Sequence, residues 1–109
     1  MKNRTNGIKN FKISPISMVT KENKQKIDIT CESAYDAHVF LNIYDGKTPL
    51  YEKIPLAIRS GKSRSSVFLT PPKEEVSVKW KLVTKESALL AETVCVWTKP
   101  REWTFYAMV

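Results

Sequence analysis

A chain of 109 residues, 42% hydrophobic and 27% charged, has room for one domain with one modest core. Those fractions exclude a disordered tail or a collagen-like repeat. The longest unbroken apolar run, the five residues from Phe105 to Val109, is far below the roughly 20 that a spanning helix needs. The formal charge of +7 is concentrated at the start: residues 1–26 carry seven Lys and Arg against Glu22 alone, and the rest of the chain holds 11 basic and 10 acidic residues.

Residues 1–10 read as a basic polar lead-in. They lead into no apolar stretch of the length a secretion signal requires, which predicts a cytoplasmic location. A basic face can neutralise phosphates and release counterions, the first step of nucleic-acid or anionic-surface binding. Most of the excess sits in the leading segment while the body is balanced, so neither nucleic acid nor membrane is expected as a partner.

From residue 11 onward the hydrophobic pattern has a period of two, the signature of strands that bury one face and wet the other. Strands are predicted near 11–19, 26–32, 37–44, 49–58, 63–70, 75–84 and 88–98. Ile27, Ile29 and Cys31 alternate with Asp28, Thr30 and Glu32, and Val76, Val78, Trp80 and Leu82 with Ser77, Lys79 and Lys81. Pro15 and Pro55 interrupt two of the runs, which assigns those strands to edges or bulges because proline has no N–H for the ladder. Residues 88–97 are apolar on both faces, which predicts a central strand. Asp45-Gly46 predicts a hairpin with a type I′ turn, Ser60-Gly61 a second turn and Lys85-Glu86-Ser87 a third, while Pro71-Pro72 halts any ladder. No segment carries a helical period. Seven short strands at regular spacing predict an all-β, two-sheet antiparallel sandwich of the immunoglobulin or fibronectin-III kind over 11–98, with a small barrel as the alternative.

Cys31 and Cys95 have the separation of an immunoglobulin inter-sheet disulfide, but its companions are missing. Ile43 and Tyr44 stand where a Trp belongs, and Thr93 stands where a Tyr would precede Cys95. Two buried free thiols, acting as small hydrophobes, are favoured over the disulfide.

The side chains name no reaction. Gly61-Lys62-Ser63 resembles part of a phosphate loop, yet Leu56 occupies the place of its first glycine and a strand follows instead of a helix; a solvated hairpin turn is expected. His38 is the single histidine and shares no ligand-like spacing with Cys31 or Cys95, so no metal or other cofactor site is expected. The paired carboxylates Glu74 and Glu75, as strand neighbours, would point to opposite faces and could not flank one bond. Trp80 and Trp97, with Trp103, Tyr35, Tyr44, Tyr51 and Tyr106, offer rings for a sugar-stacking platform. Trp80 and Trp97 share the parity of the core residues, however, and are expected inside.

Residues 99–109 read as a linker and the first strand of a following domain. Arg101-Glu102-Trp103-Thr104-Phe105-Tyr106-Ala107-Met108-Val109 is the most apolar run of the chain, apolar on both faces like a strand buried in a parallel sheet. The expectation is a chain cut as a second domain begins, with Trp103, Phe105 and Tyr106 at the interface.

The segment Trp97-Thr-Lys-Pro-Arg-Glu-Trp-Thr-Phe-Tyr-Ala-Met-Val109 resembles the approach to the catalytic domain in bacterial α-mannosidase-like glycosidases of glycoside hydrolase family 38. In those proteins a short strand of this type leads into a His-x-Asp motif that ligates the catalytic zinc. That motif would lie beyond Val109, so no catalytic or metal residue is carried over. The resemblance covers about a dozen residues; the rest of the chain resembles the family in being an accessory sandwich. It implies a non-catalytic N-terminal domain of a zinc-dependent α-mannosidase-like enzyme, packed on the catalytic domain of the same chain or at an oligomer interface. An independent carbohydrate-binding or adhesive sandwich is the alternative.

Overall fold

The computed structural model describes residues 7–19, 22–98 and 104–105. It is all-β among these residues. The strands are β1 (Ile8–Val19), β2 (Gln25–Ser33), β3 (Ala37–Asp45), β4 (Thr48–Ile58), β5 (Gly61–Leu69), β6 (Val76–Val83), β7 (Leu89–Trp97) and the two-residue β8 (Thr104–Phe105). They form two sheets, β5-β2-β1-β8 and β4-β3-β6-β7. The first seven strands pair antiparallel, and their partition between the sheets is that of a fibronectin-III-like sandwich.

Alternation builds the core. The odd-numbered residues of β2 and β3 and the even-numbered residues of β6 point between the sheets, and Ile27, Leu41, Ile43, Val78, Trp80 and Leu82 are fully buried there. Trp97 joins them from β7, its ring tilted 50° against Trp80 with centroids 5.2 Å apart. Its indole N–H donates to Gln25 Oε1 at 2.7 Å, and Gln25 Nε2 donates to the Ile16 carbonyl at 2.8 Å. One glutamine thereby ties β7 to β1 across the sandwich.

Several expectations need correction. The first strand begins at Ile8 rather than near residue 11, and Lys9 and Lys12 lie in β1 and Lys26 in β2, so part of the basic leading segment 1–26 is sheet. β7 is an edge strand, not a central one. Its outward face carries exposed Val94 (61%), Val96 (52%) and Leu89 (50%), with Glu92 between Leu89 and Val94. The β3–β4 hairpin closes through Gly46 and Lys47, with Asp45 paired to Thr48. Only Gly46 of the two central residues has positive φ, at +62°, the pattern of a type II′ rather than a type I′ turn. Ser60-Gly61 is not a hairpin turn but the crossing from β4 in one sheet to β5 in the other.

The prolines act as expected. β4, with Pro49 and Pro55, is an edge strand, and β1 shifts register after Pro15. The turn at Lys85-Glu86-Ser87 closes through Ser87 N–H donating to the Thr84 carbonyl at 2.8 Å. Thr104 and Phe105 pair in parallel with Met18 and Val19, on the outer side of β1.

Candidate functional site

Most of the side chains singled out from the sequence are not brought together. His38 is exposed on β3. Glu74 and Glu75 lie in the β5–β6 connection and are exposed, because β6 starts at Val76, one residue later than the strand expected from Glu75. Trp80 and Trp97 are core residues. Tyr51 packs on Trp97 at a centroid distance of 6.2 Å, and its hydroxyl donates to the Thr70 carbonyl and accepts from the Thr70 N–H, both at 3.2 Å. Tyr44 donates to Glu52 Oε2 at 3.2 Å and lies under the Lys81 ammonium. Trp103 and Tyr106 lie outside the described residues; Phe105 is placed by its backbone alone.

Both cysteines are free thiols. The immunoglobulin disulfide joins the second and sixth strands, whereas Cys95 is on the seventh and approaches the Ile13 carbonyl of β1 at 3.8 Å. Cys31 is buried as expected; Cys95 is half-buried at the sheet edge. Burial pushes both thiols up, which disfavours the nucleophilic thiolate. Among the described residues no three His, Cys, Asp or Glu converge as a metal site, and no helix is long and apolar enough to cross a membrane.

One arrangement does gather charged side chains. On the outer face of the β5-β2-β1 sheet, register sets residues in rows across the strands. Lys9, Glu32 and Lys62 form one row, Lys12, Thr30 and Arg64 the next, and Ser14, Asp28 and Ser66 a third. Flanking strands are each about 4.8 Å from β2, so the cations of β1 and β5 rise from backbones about 10 Å apart on either side of shorter side chains. The result is a trough along β2. Two adjoining clefts of about 300 and 550 Å³ occupy it, and Glu32 and Lys62 line both.

Local structure positions each group. β1 has one extra residue between Lys9 and Lys12, and Asn10 in this bulge takes a left-handed φ of 56°. From there its side-chain amide donates to Glu32 Oε2 at 2.8 Å. Arg64 Nη2 donates to Asp28 Oδ2 at 2.8 Å, and the Ser66 hydroxyl donates to Asp28 Oδ1 at 2.8 Å. The Arg64 hydrogen bond holds the Asp28 carboxyl below its ordinary range, against the opposing effect of its burial. Among the described residues Lys9, Lys12 and Lys62 form no ion pair. Sequence reading missed this trough because its members are up to 57 positions apart; the available signal was the shared parity of Lys62 and Arg64 on one strand and of Thr30 and Glu32 on another.

No protein-family model matches the chain. No curated protein matches it. No solved structure matches it.

Proposed function

We propose that the chain is a non-catalytic accessory domain that packs through the outward face of β7 against a neighbouring catalytic domain. The observation that carries this reading is the row Leu89, Val94 and Val96, exposed on an edge strand. These side chains are already about half covered, and completing their burial is worth about 1 kcal/mol each. The same strand ends at Trp97, where the segment resembling the α-mannosidase-like glycosidases begins. In this proposal the parent enzyme is a zinc-dependent glycoside hydrolase, the zinc belongs to its catalytic domain, and Trp103, Phe105 and Tyr106 also belong to the inter-domain interface. Trp80 and Trp97 are core residues and supply no stacking surface to the alternative of an independent aromatic sugar platform.

Two measurements test it. Reading the coding sequence past Val109 is expected to show a His-x-Asp motif shortly downstream; a stop codon or an unrelated domain there rules out the glycosidase parent. In the full-length protein, Val94→Lys with Val96→Lys is expected to loosen the module, so that limited proteolysis after Thr98 speeds up several-fold. An unchanged cleavage rate rules out β7 as the contact.

A further inference from the structure

We propose that the trough on the outer face of the β5-β2-β1 sheet binds an acidic polysaccharide, an extended chain of uronate sugars. The inference does not depend on the docking of β7, which lies in the other sheet.

Charge sets the class of ligand. Around the two clefts the outer face presents Lys9, Lys12, Lys62 and Arg64 against Asp28 and Glu32, and Asp28 is already satisfied by Arg64 and Ser66. Arg64 is 71% exposed and donates to Asp28 through one nitrogen, which leaves further donors of its planar fork facing the trough. Lysine and arginine arranged this way recognise carboxylates, with Arg giving bidentate geometry.

Shape narrows the class further. Cationic side chains stand on both sides of β2, in successive rows about 7 Å apart along the strands. The two clefts share Glu32 and Lys62 and so run together. A single extended chain fits such a trough, whereas a nucleic-acid duplex is read by a helix or ribbon that protrudes into a groove. Single-stranded nucleic acid is held by bases stacked on aromatic rings, and no described aromatic residue lines either cleft.

Glu32 and its neighbours separate sugars from phosphates. A carboxylate in the floor of the trough repels phosphodiester and uronate charges alike, but a uronate chain offsets that repulsion with ring hydroxyl groups on every unit, which a phosphodiester chain of deoxynucleotides lacks. Against a sugar the same carboxylate accepts hydrogen bonds from hydroxyl groups, as the Thr30 hydroxyl and the Asn10 carbonyl oxygen also can. Asn10 adopts left-handed backbone to reach Glu32, and its amide fixes the carboxylate where it faces the lysines without pairing to either. Cations for the uronate carboxylates and acceptors for the ring hydroxyls are thus interleaved in one trough.

Titration calorimetry with polygalacturonate oligosaccharides tests the assignment. Fully methyl-esterified polygalacturonate, a thymidine oligonucleotide and phosphatidylglycerol vesicles serve as comparisons. Polygalacturonate is expected to bind, with affinity falling as salt rises, and the neutral ester not to bind. Lys12→Gln with Lys62→Gln is expected to weaken polygalacturonate at least about tenfold. These side chains are exposed, and thermal melting checks that the variant is folded; Arg64 is left in place because it holds Asp28. Glu32→Gln keeps an acceptor for Asn10 and gives a change of sign: weaker binding of polygalacturonate, tighter binding of the oligonucleotide. The assignment is overturned if polygalacturonate does not bind, or if the folded lysine variant binds as before. It is equally overturned if the oligonucleotide or the vesicles bind as tightly as the polysaccharide, or if Glu32→Gln tightens every polyanion alike.

Discussion

Two tryptophans in ring contact illustrate how differently one residue type can contribute. Trp97 gives its indole N–H to Gln25 in a bond of 2.7 Å, while the Trp80 Nε1 is buried with no partner among the described residues. Burying an unpaired donor costs about 1–3 kcal/mol, and the apolar ring of Trp80, buried against both sheets, offsets that cost. Replacement by phenylalanine separates the two cases. Trp80→Phe loses ring volume but also removes the unpaired donor. Trp97→Phe loses comparable volume and leaves Gln25 Oε1 without its donor. Urea unfolding is therefore expected to show Trp97→Phe as the more damaging change, by about 1–2 kcal/mol. Equal losses would mean that the Gln25 bond contributes nothing net.

At the scale of the strand, edge and centre are told apart by how the backbone is protected. β4 is kept an edge by Pro49 and Pro55 and by a bulge at which β3 advances from Leu41 to Ile43 while β4 runs from Ile54 to Tyr51. Within that bulge Lys53 has a φ of 60°, and its N–H donates to Asn42 Oδ1 at 2.8 Å. Asn42→Ala removes this acceptor and is expected to cost about 1–2 kcal/mol, whereas Asn42→Asp keeps an oxygen there, at the cost of burying a carboxyl, and is expected to lose less than Asn42→Ala. Thermal melting of the two variants decides it: equal losses would show that Asn42 acts by its bulk. Such strands were legible because period-two alternation and proline placement act locally. The setting of β7 was not. A strand apolar on both faces is either covered on both sides or left with an unpartnered face, and Leu89, Val94 and Val96 read the same in either case. The turn at Asp45-Gly46 was located to within one residue, but its type depends on which residue carries positive φ, and the pairing of Asp45 with Thr48 decides that.

At the scale of the molecule, the two sheets close on one core without a disulfide, so global stability follows whatever links the strands of each sheet. The trough exists only at this scale: Lys9 and Lys12, Glu32, and Lys62 and Arg64 become neighbours through the order β5-β2-β1, which no local pattern encodes. The acid response also belongs here. Asp28 is buried on the outer face, bridged to β5 by Arg64 and Ser66, and its carboxyl is held below the ordinary carboxylate range chiefly by the Arg64 hydrogen bond. A carboxyl whose folded pKa lies below its unfolded pKa contributes stability that is fully present above the unfolded value and is lost as pH falls through the folded one. Between about pH 7 and pH 5 this contribution should therefore be constant, and it should decline below about pH 4. Asp28→Asn keeps one acceptor but cannot titrate. It is expected to be less stable than the parent near neutral pH by about 1–2 kcal/mol and to lose less on acidification, so the two stabilities converge as the pH nears about 2. Urea midpoints across that range measure this directly. Parallel curves for the two proteins would show that Asp28 is not a source of the acid sensitivity, and that the Arg64 bridge contributes no more than an exposed ion pair, whose typical worth is about 0–1 kcal/mol.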